Sequence, residues 1–328
     1  MVAQSPLRIR IYKNQNWGRQ GKNFSDWVSE ESPRISVFRQ VRLSLIRKQP
    51  VLLQTSRWSG IDAFLDSIRK SLSSSELGTQ PAFIQPNFKG ESLAEDWMRL
   101  ATIFRNLLPE KDRPSSETLR VLFNRSGFRT ELKNIFTTLG NQPKPKSAIV
   151  LCKVERWPLS IIEDIQLAWH EAFHSTKTEN IVPFLITGAI SGGHFNKLIW
   201  LNDFSVPEAQ KLLQSRTEPS PFLQQAIVRS GGIPDLVFGV MNIADEPTPE
   251  KLHSQWQPIG REIHHVIDIV AAQRKMLHRL QDLCNSEVEH GFIPLDTQLI
   301  EAGLVCSYYA SRRLSVRLRA PYIRELLR

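Results

Sequence analysis

QPVLLQTSRWSGIDAFLDSIRKSL, residues 49–72, decides how this chain is read. VLLQ is a short apolar run with the character of a strand. The polar turn after it holds one glycine, Gly60, and Phe64, Leu65 and Ile68 then recur at helical spacing. Strand, turn and helix in that succession outline a phosphate-binding loop, whose working pattern is G-x-x-x-x-G-K-[ST]. There the backbone N–H groups cradle phosphates, the lysine offsets their charge and the hydroxyl holds magnesium. Set on Gly60, the pattern finds Thr55 in place of the first glycine, Ile61 in place of the lysine and Asp62 in place of the hydroxyl. Isoleucine offsets no charge, and a carboxylate beside a triphosphate repels it.

The other half of such a site is an acid at the end of a second buried strand, where it holds the metal. In SAIVLCKVE, residues 147–155, the apolar run ends in Lys153, with Glu155 two positions on. An ammonium at the metal position disfavours the metal. Because the two altered positions flank magnesium in a working site, Asp62 and Lys153 are expected to form an ion pair in its place.

Around these segments the pattern is α/β. VFRQVRLSLIRKQ (37–49) is a helix closed by Pro50, PAFIQPNF (81–88) a second strand, and helices follow at about 93–108 and 116–139. SAIVLCKVE and NIVPFLITGA are continuous apolar runs of the kind buried on both faces of a parallel sheet, with the helix LSIIEDIQLAWHEAFH between them. Strands alternating with long helices predict a parallel sheet with right-handed crossovers and at least four strands. Past Phe204 the periodicity is helical, and the tail from LDTQLIEAGL onward reads as helix, strand, turn, strand, helix, a winged-helix-like outline. The expected organisation is an N-terminal extension (1–33), a P-loop NTPase-like α/β domain (34–203), a helical lid (204–275) and a winged-helix-like unit (276–328).

Composition sets further bounds. A chain of 328 residues with 41% hydrophobic content can bury more than one core. The first residues carry no signal-like apolar region and no long apolar run follows, so a soluble cytoplasmic protein without membrane contact is expected. Three scattered cysteines, Cys152, Cys284 and Cys306, fit a reducing compartment and are expected to be buried as small hydrophobes. The +9 net charge lies at the ends: residues 1–48 carry ten Lys/Arg against three Asp/Glu, and residues 307–328 six Arg against one Glu. The tail alternates Leu314, Val316 and Leu318 with Arg313, Ser315, Arg317 and Arg319, a half-exposed strand with an arginine face. With Arg312, those arginines are candidate contacts for a partner protein or for nucleic acid.

Two rival patterns are present. HEAFH, residues 170–174, matches the H-E-x-x-H zinc motif through His170, Glu171 and His174. Its helix is expected to bury Ile162, Ile165, Trp169 and Phe173, leaving the motif on a solvated face. TGAISGG (187–193) is glycine-rich at a strand exit but matches neither a P-loop nor a dinucleotide fingerprint, and reads as a loop.

The succession VLLQTSRWSGID, SAIVLCKVE, NIVPFLITGA, KLIWLNDFSVPEAQKLL and AIVRSGGIPDLVFGVM resembles the ATPase core of the STAND/AAA+ class over residues 35–328. In that class L-x-x-F-S/T-x-x-E-A follows the sensor strand and GG-x-P opens a lid helix. Here these are Leu201, Phe204, Ser205, Glu208 and Ala209, then Gly231, Gly232 and Pro234. With both nucleotide motifs altered, the chain is most similar to the inactive STAND group of bacterial conflict systems. The resemblance implies no hydrolysis, no resident cofactor and no catalytic residue, and it leaves residual nucleotide binding open. It implies instead a sensor, scaffold or adaptor that meets an effector or signalling protein. A DNA-binding regulator of a mobile element and a zinc metallopeptidase are the alternatives.

Overall fold

The computed structural model describes residues 34–73, 81–85, 92–113, 124–142, 148–152, 154, 157–174, 181–188, 198–285, 290–310 and 313–327. These fall into two compact units. One holds Arg34–Thr55 and Phe64–Leu201, and the other Ser56–Ala63 and Asn202–Arg328.

The first unit is built on five strands: β1 (Val51–Thr55), β2 (Ala82–Ile84), β3 (Ile149–Leu151), β4 (Phe184–Gly188) and β5 (Leu198–Leu201). They lie in the order β2-β3-β4-β1-β5, every neighbouring pair parallel. The expected P-loop NTPase-like parallel sheet is therefore present, with five described strands. From β1 the chain goes to the far edge at β2, returns through β3 and β4, and crosses β1 to reach β5. The direction of travel thus reverses beside β1, and in open α/β sheets the strand ends at such a reversal are where ligands bind.

The helices are α1 (Ile35–Ile46), α2 (Ile61–Ser73), α3 (Leu93–Arg105), α4 (Arg125–Gly140) and α5 (Leu159–His174). Ser92 caps α3 by accepting from the Glu95 N–H, and Asn124 caps α4 by accepting from the Gly127 N–H at 2.7 Å. The second expected strand is described only over 82–84; the expected helix at 116–139 begins instead at Arg125, because Asn124 is extended and caps it, and 86–91 and 114–123 lie outside the described residues. β1, β3 and β4 are almost wholly buried, which is why they read as unbroken apolar runs. β5 instead alternates exposed and buried. Phe104, Phe136 and Phe184 meet edge-to-face in the core, the first two with ring centroids 5.4 Å apart. The buried Trp169 indole N–H donates to the Val182 carbonyl at 2.9 Å.

The second unit is helical. It runs α6 (Val206–Gln214), α7 (Pro221–Ser230), α8 (Pro234–Asn242), α9 (Pro249–Ala271) and α10 (Arg274–Asn285). Then come β6 (His290–Gly291), α11 (Asp296–Glu301), β7 (Val305–Ala310), β8 (Arg313–Leu318) and α12 (Pro321–Leu326). The last three strands form an antiparallel sheet in the order β6-β8-β7. The motif residues now have physical roles. Ser205 and Glu208 make a reciprocal capping box at the start of α6, and Pro234 opens α8. Gly232 has φ +81°, and a Cβ there would lie 1.8 Å from the Phe204 carbonyl oxygen. A buried ion pair pins the C-terminal sheet. Arg279 of α10 donates to both oxygens of the fully buried Asp296 at 2.9 Å, and Asp296 also accepts from the Ile293 N–H.

Two expectations are corrected here. The arginine face of the tail strand is not continuous: Arg313 and Arg317 are exposed, but Ser315 is buried and so is Arg319. The reason is that Asp203 and Ser56 cover Arg319, whose guanidinium hydrogen-bonds to both. Arg312 lies outside the described residues. Of the cysteines only Cys152 is buried, while Cys284 and Cys306 are half-buried, Cys306 because it sits on the outer strand β7. Among the described residues no helix is long and apolar enough to cross a membrane.

Candidate functional site

The turn that follows β1, Ser56–Gly60, belongs to the helical unit together with the side chains that close on it. Trp58 has φ +56°, a left-handed conformation unusual for a bulky residue, and it is only 8% exposed. Three contacts hold it there. Its indole N–H donates to Glu262 of α9 at 3.1 Å, and its carbonyl accepts from the Asp235 N–H at the start of α8. Its ring lies 5.8 Å from the Arg319 guanidinium.

Gly60 also has positive φ, +64°. Where a side chain would project, a Cβ would lie 2.5 Å from the Phe238 ring and 3.3 Å from Pro234. A phosphate-binding glycine is bare so that a ligand can approach. This one is bare so that an aromatic ring of α8 can. Phe238 packs in turn edge-to-face on Phe204.

The charged centre is Arg319. Its Nε donates to Asp203 Oδ2 and its Nη2 to Asp203 Oδ1, both at 2.5 Å, a two-pronged pair. Nη2 also donates to Ser56 Oγ at 2.8 Å and Nη1 to the Gly303 carbonyl at 3.3 Å. Ser56 Oγ donates weakly to Asp203 Oδ1 at 3.5 Å. The Arg319 side chain is 3% exposed and that of Asp203 22%. One guanidinium thus ties the first residue of the turn, the residue after β5 by two positions, and the C-terminal sheet into one network.

The remaining predicted positions fall as follows. Ile61 is half-buried and Asp62 exposed in the first turn of α2, where a carboxylate complements the helix dipole. Thr55 is buried as the last residue of β1, in register with Leu201. Lys153 and Glu155 lie outside the described residues, and with them the expected pair to Asp62. In the HEAFH helix Ile162, Ile165, Trp169 and Phe173 are buried and His170 is exposed. Glu171 is ion-paired with Arg129 of α4, and the His174 side chain is outside the described set. Among the described residues no group of three or more His, Cys, Asp or Glu is placed to hold a metal.

The turn departs from the residue set that holds magnesium nucleotide in the working pattern. The lysine and hydroxyl are replaced, Phe238 covers Gly60, and the cation at hand is already bound to a carboxylate. Sequence reading missed Asp203, Trp58, Glu262 and Phe238, and took the buried Arg319 for an exposed contact. The available signal was Asp203 itself, an acid just beyond a strand end and one residue before the F-S-x-x-E segment.

No protein-family model matches this chain, and no curated protein does. Solved structures do. The Orc1 protein of Aeropyrum pernix, in complex with DNA, is similar over 90% of this chain and 92% of its own, at 13% identity and a TM-score of 0.43. The Walker-type ATPase paby2304 of Pyrococcus abyssi is similar over 90% and 95%, at 12% identity and a TM-score of 0.45. The likeness is one of chain course alone.

Proposed function

We propose that this chain is a non-hydrolysing regulatory scaffold, an NTPase-like body that works by holding a protein partner. The observation that carries the reading is the turn after β1, filled by the protein's own groups: Trp58 in a left-handed conformation, Phe238 over Gly60, and the Arg319–Asp203 pair fixed to Ser56. A phosphate would have to displace Asp203 from Arg319 and would meet Asp62 at the position of the lost hydroxyl. The like charge of Asp62 opposes that exchange, though solvent weakens the repulsion at this exposed position. The STAND resemblance extends the reading to signalling in bacterial defence, with an effector or signalling protein as partner.

The test is nucleotide turnover and binding by the purified full chain. Phosphate release at background and no saturable heat with magnesium ATP or ADP are expected. Turnover at an ordinary ATPase rate that stops when Asp62 is changed to alanine would overturn the scaffold.

A second reading has one observation in its favour. Arg313 and Arg317 stand exposed on β8, Arg317 with its guanidinium 5.2 Å from the Tyr308 ring. As a DNA contact these arginines predict affinity for duplex that falls steeply with salt, a dependence reduced by Arg317→Ala. Salt titration of duplex binding separates the two readings.

A further inference from the structure

The left-handed Trp58 is held by groups from beyond its own loop, and one of them stands beside a weak point in a helix. α9 runs for 23 residues with Pro258 inside it. Proline has no N–H for the carbonyl four residues back, here that of Ser254, so the helical ladder is interrupted. Gly260, two positions on, lacks the side chain that would stiffen the same turn. Before this point α9 is tied to α8 through the Trp256 indole N–H, which donates to the Leu236 carbonyl at 2.9 Å. Just after it comes Glu262, which accepts from the Trp58 indole at 3.1 Å. A displacement of about 0.5 Å takes that hydrogen bond out of range.

What covers the interruption is the last helix. Tyr322 of α12 sits where a side chain at 260 would project, and a Cβ there would lie 2.6 Å from its hydroxyl. The Tyr322 ring also packs on Trp256, with centroids 4.8 Å apart. α12 is fastened in turn by Glu325, whose two oxygens accept from Arg229 of α7 at 2.9 and 2.6 Å. The same guanidinium lies 5.4 Å from the Trp256 ring. A continuous set of contacts therefore runs from α7 across α12 to the interrupted turn of α9, and all of it, like Trp58, belongs to the helical unit.

We propose that α12 is a latch on α9: seated on Gly260, it fixes the helix across its interruption and so holds Glu262 against Trp58; when it lifts, α9 flexes at 258–260 and the turn is released. Release is favoured at the far end, because a tryptophan in the left-handed region reverts to an ordinary conformation once its contacts loosen. The strained turn and the interrupted helix are two parts of one bistable element. Its point of entry is the outer pair, since Arg229 and Glu325 are each 43% exposed and a competing charge reaches them from solvent. The latch concerns how the turn is held and not what it binds, so ATP turnover would sink the scaffold reading and leave this one standing.

Amide hydrogen exchange of the full chain, followed by NMR, reads the latch. The probe is the Asp235 N–H, which lies in the first turn of α8, has no helical acceptor there, and donates to the Trp58 carbonyl. Glu325→Gln is expected to speed exchange of Asp235 and of residues 261–264 about fivefold, the scale of an exposed ion pair. Pro258→Ala restores the missing N–H, and in that background Glu325→Gln is expected to leave Asp235 unchanged. Glu262→Ala frees the turn beyond the latch, and is expected to speed Asp235 while the α12 amides stay slow. Faster exchange confined to α12 in Glu325→Gln overturns the proposal, and so does a uniform rise across the whole chain. An Asp235 response that survives Pro258→Ala overturns it, as does an Asp235 amide indifferent to Glu262→Ala. If Pro258→Ala fails to fold, Gly260→Ala decides instead: it displaces the Tyr322 ring and keeps Glu325, and Asp235 exchange equal to the wild type overturns the latch.

Discussion

Replacing Arg319 by methionine removes the cation that binds Asp203 and Ser56 at the turn, while keeping most of the side chain's volume. Asp203, Ser56 Oγ and the Gly303 carbonyl then lose their shared donor. Breaking a buried pair by deleting one member costs about 3–5 kcal/mol, since the survivor is left charged and poorly hydrated. Asp203 keeps 22% of its side-chain exposure, so water relieves part of that penalty and the lower figure, about 3 kcal/mol, is expected. The reciprocal change, Asp203→Asn, strands the guanidinium, which is only 3% exposed, and is expected to cost about 4 kcal/mol. Thermal melting of the full chain reads these values as a fall on the order of 10 °C. The double variant Arg319→Met with Asp203→Leu is expected to recover more than about 1 kcal/mol relative to the sum of the single changes, because neither charge is then left alone. Arg319→Met that melts within about 1 °C of the wild type, or a strictly additive double variant, refutes the claim that this pair closes the turn.

Other changes report on other contacts. Gly60→Ala places a Cβ 2.5 Å from the Phe238 ring at a positive φ, and is expected to cost about 2–4 kcal/mol in a urea melt. Adding Phe238→Leu should return part of that loss, and no recovery would mean that strain alone sets the cost. Arg279→Met leaves the fully buried Asp296 uncompensated and is expected to cost about 3 kcal/mol, with faster hydrogen exchange in β6 and α11. Burial raises the Glu131 carboxyl above its ordinary range, opposed by the positive charge of Arg105. A raised acid favours the fold when protonated, so its contribution is present at low pH and lost as pH rises through the folded-state value. Glu131→Gln should therefore raise the melting temperature at about pH 8 and give little gain at about pH 5. Asp164, also raised by burial despite its hydrogen bonds to Arg125, keeps part of the same slope in that variant.

How much of this could be seen in the sequence depended on whether a residue's role is local. β1, β3 and β4 were legible because strands buried on both faces must be apolar throughout, and the segment after Phe204 because Ser205, Glu208 and Pro234 act within their own helix ends. The turn between β1 and α2 was legible because strand, glycine-bearing turn and helix follow one another in a contiguous string. Arg319 was not: alternation predicts the face a side chain takes but not what covers that face, and here Asp203 and Ser56 cover it from distant positions. Asp203 and Glu262 were not legible for a different reason. They meet Ser56, Arg319 and Trp58 from positions 116 to 204 residues apart, and no spacing rule spans such distances. The left-handed Trp58 carries no mark in its neighbours, since the contacts that hold it come from α8, α9 and Arg319.

The turn's membership has a practical meaning for anyone who wishes to cut this chain. Ser56–Ala63 is a short loan from the amino-terminal half to the carboxy-terminal one, so no single scission yields two self-sufficient pieces. A fragment stopped at Leu201 would keep Trp58 and Gly60 but lose Phe238, Glu262 and Arg319, and would show an oily, strained loop to water. One started at Asn202 would contain a guanidinium and carboxylate with the serine and indole that complete their surroundings deleted.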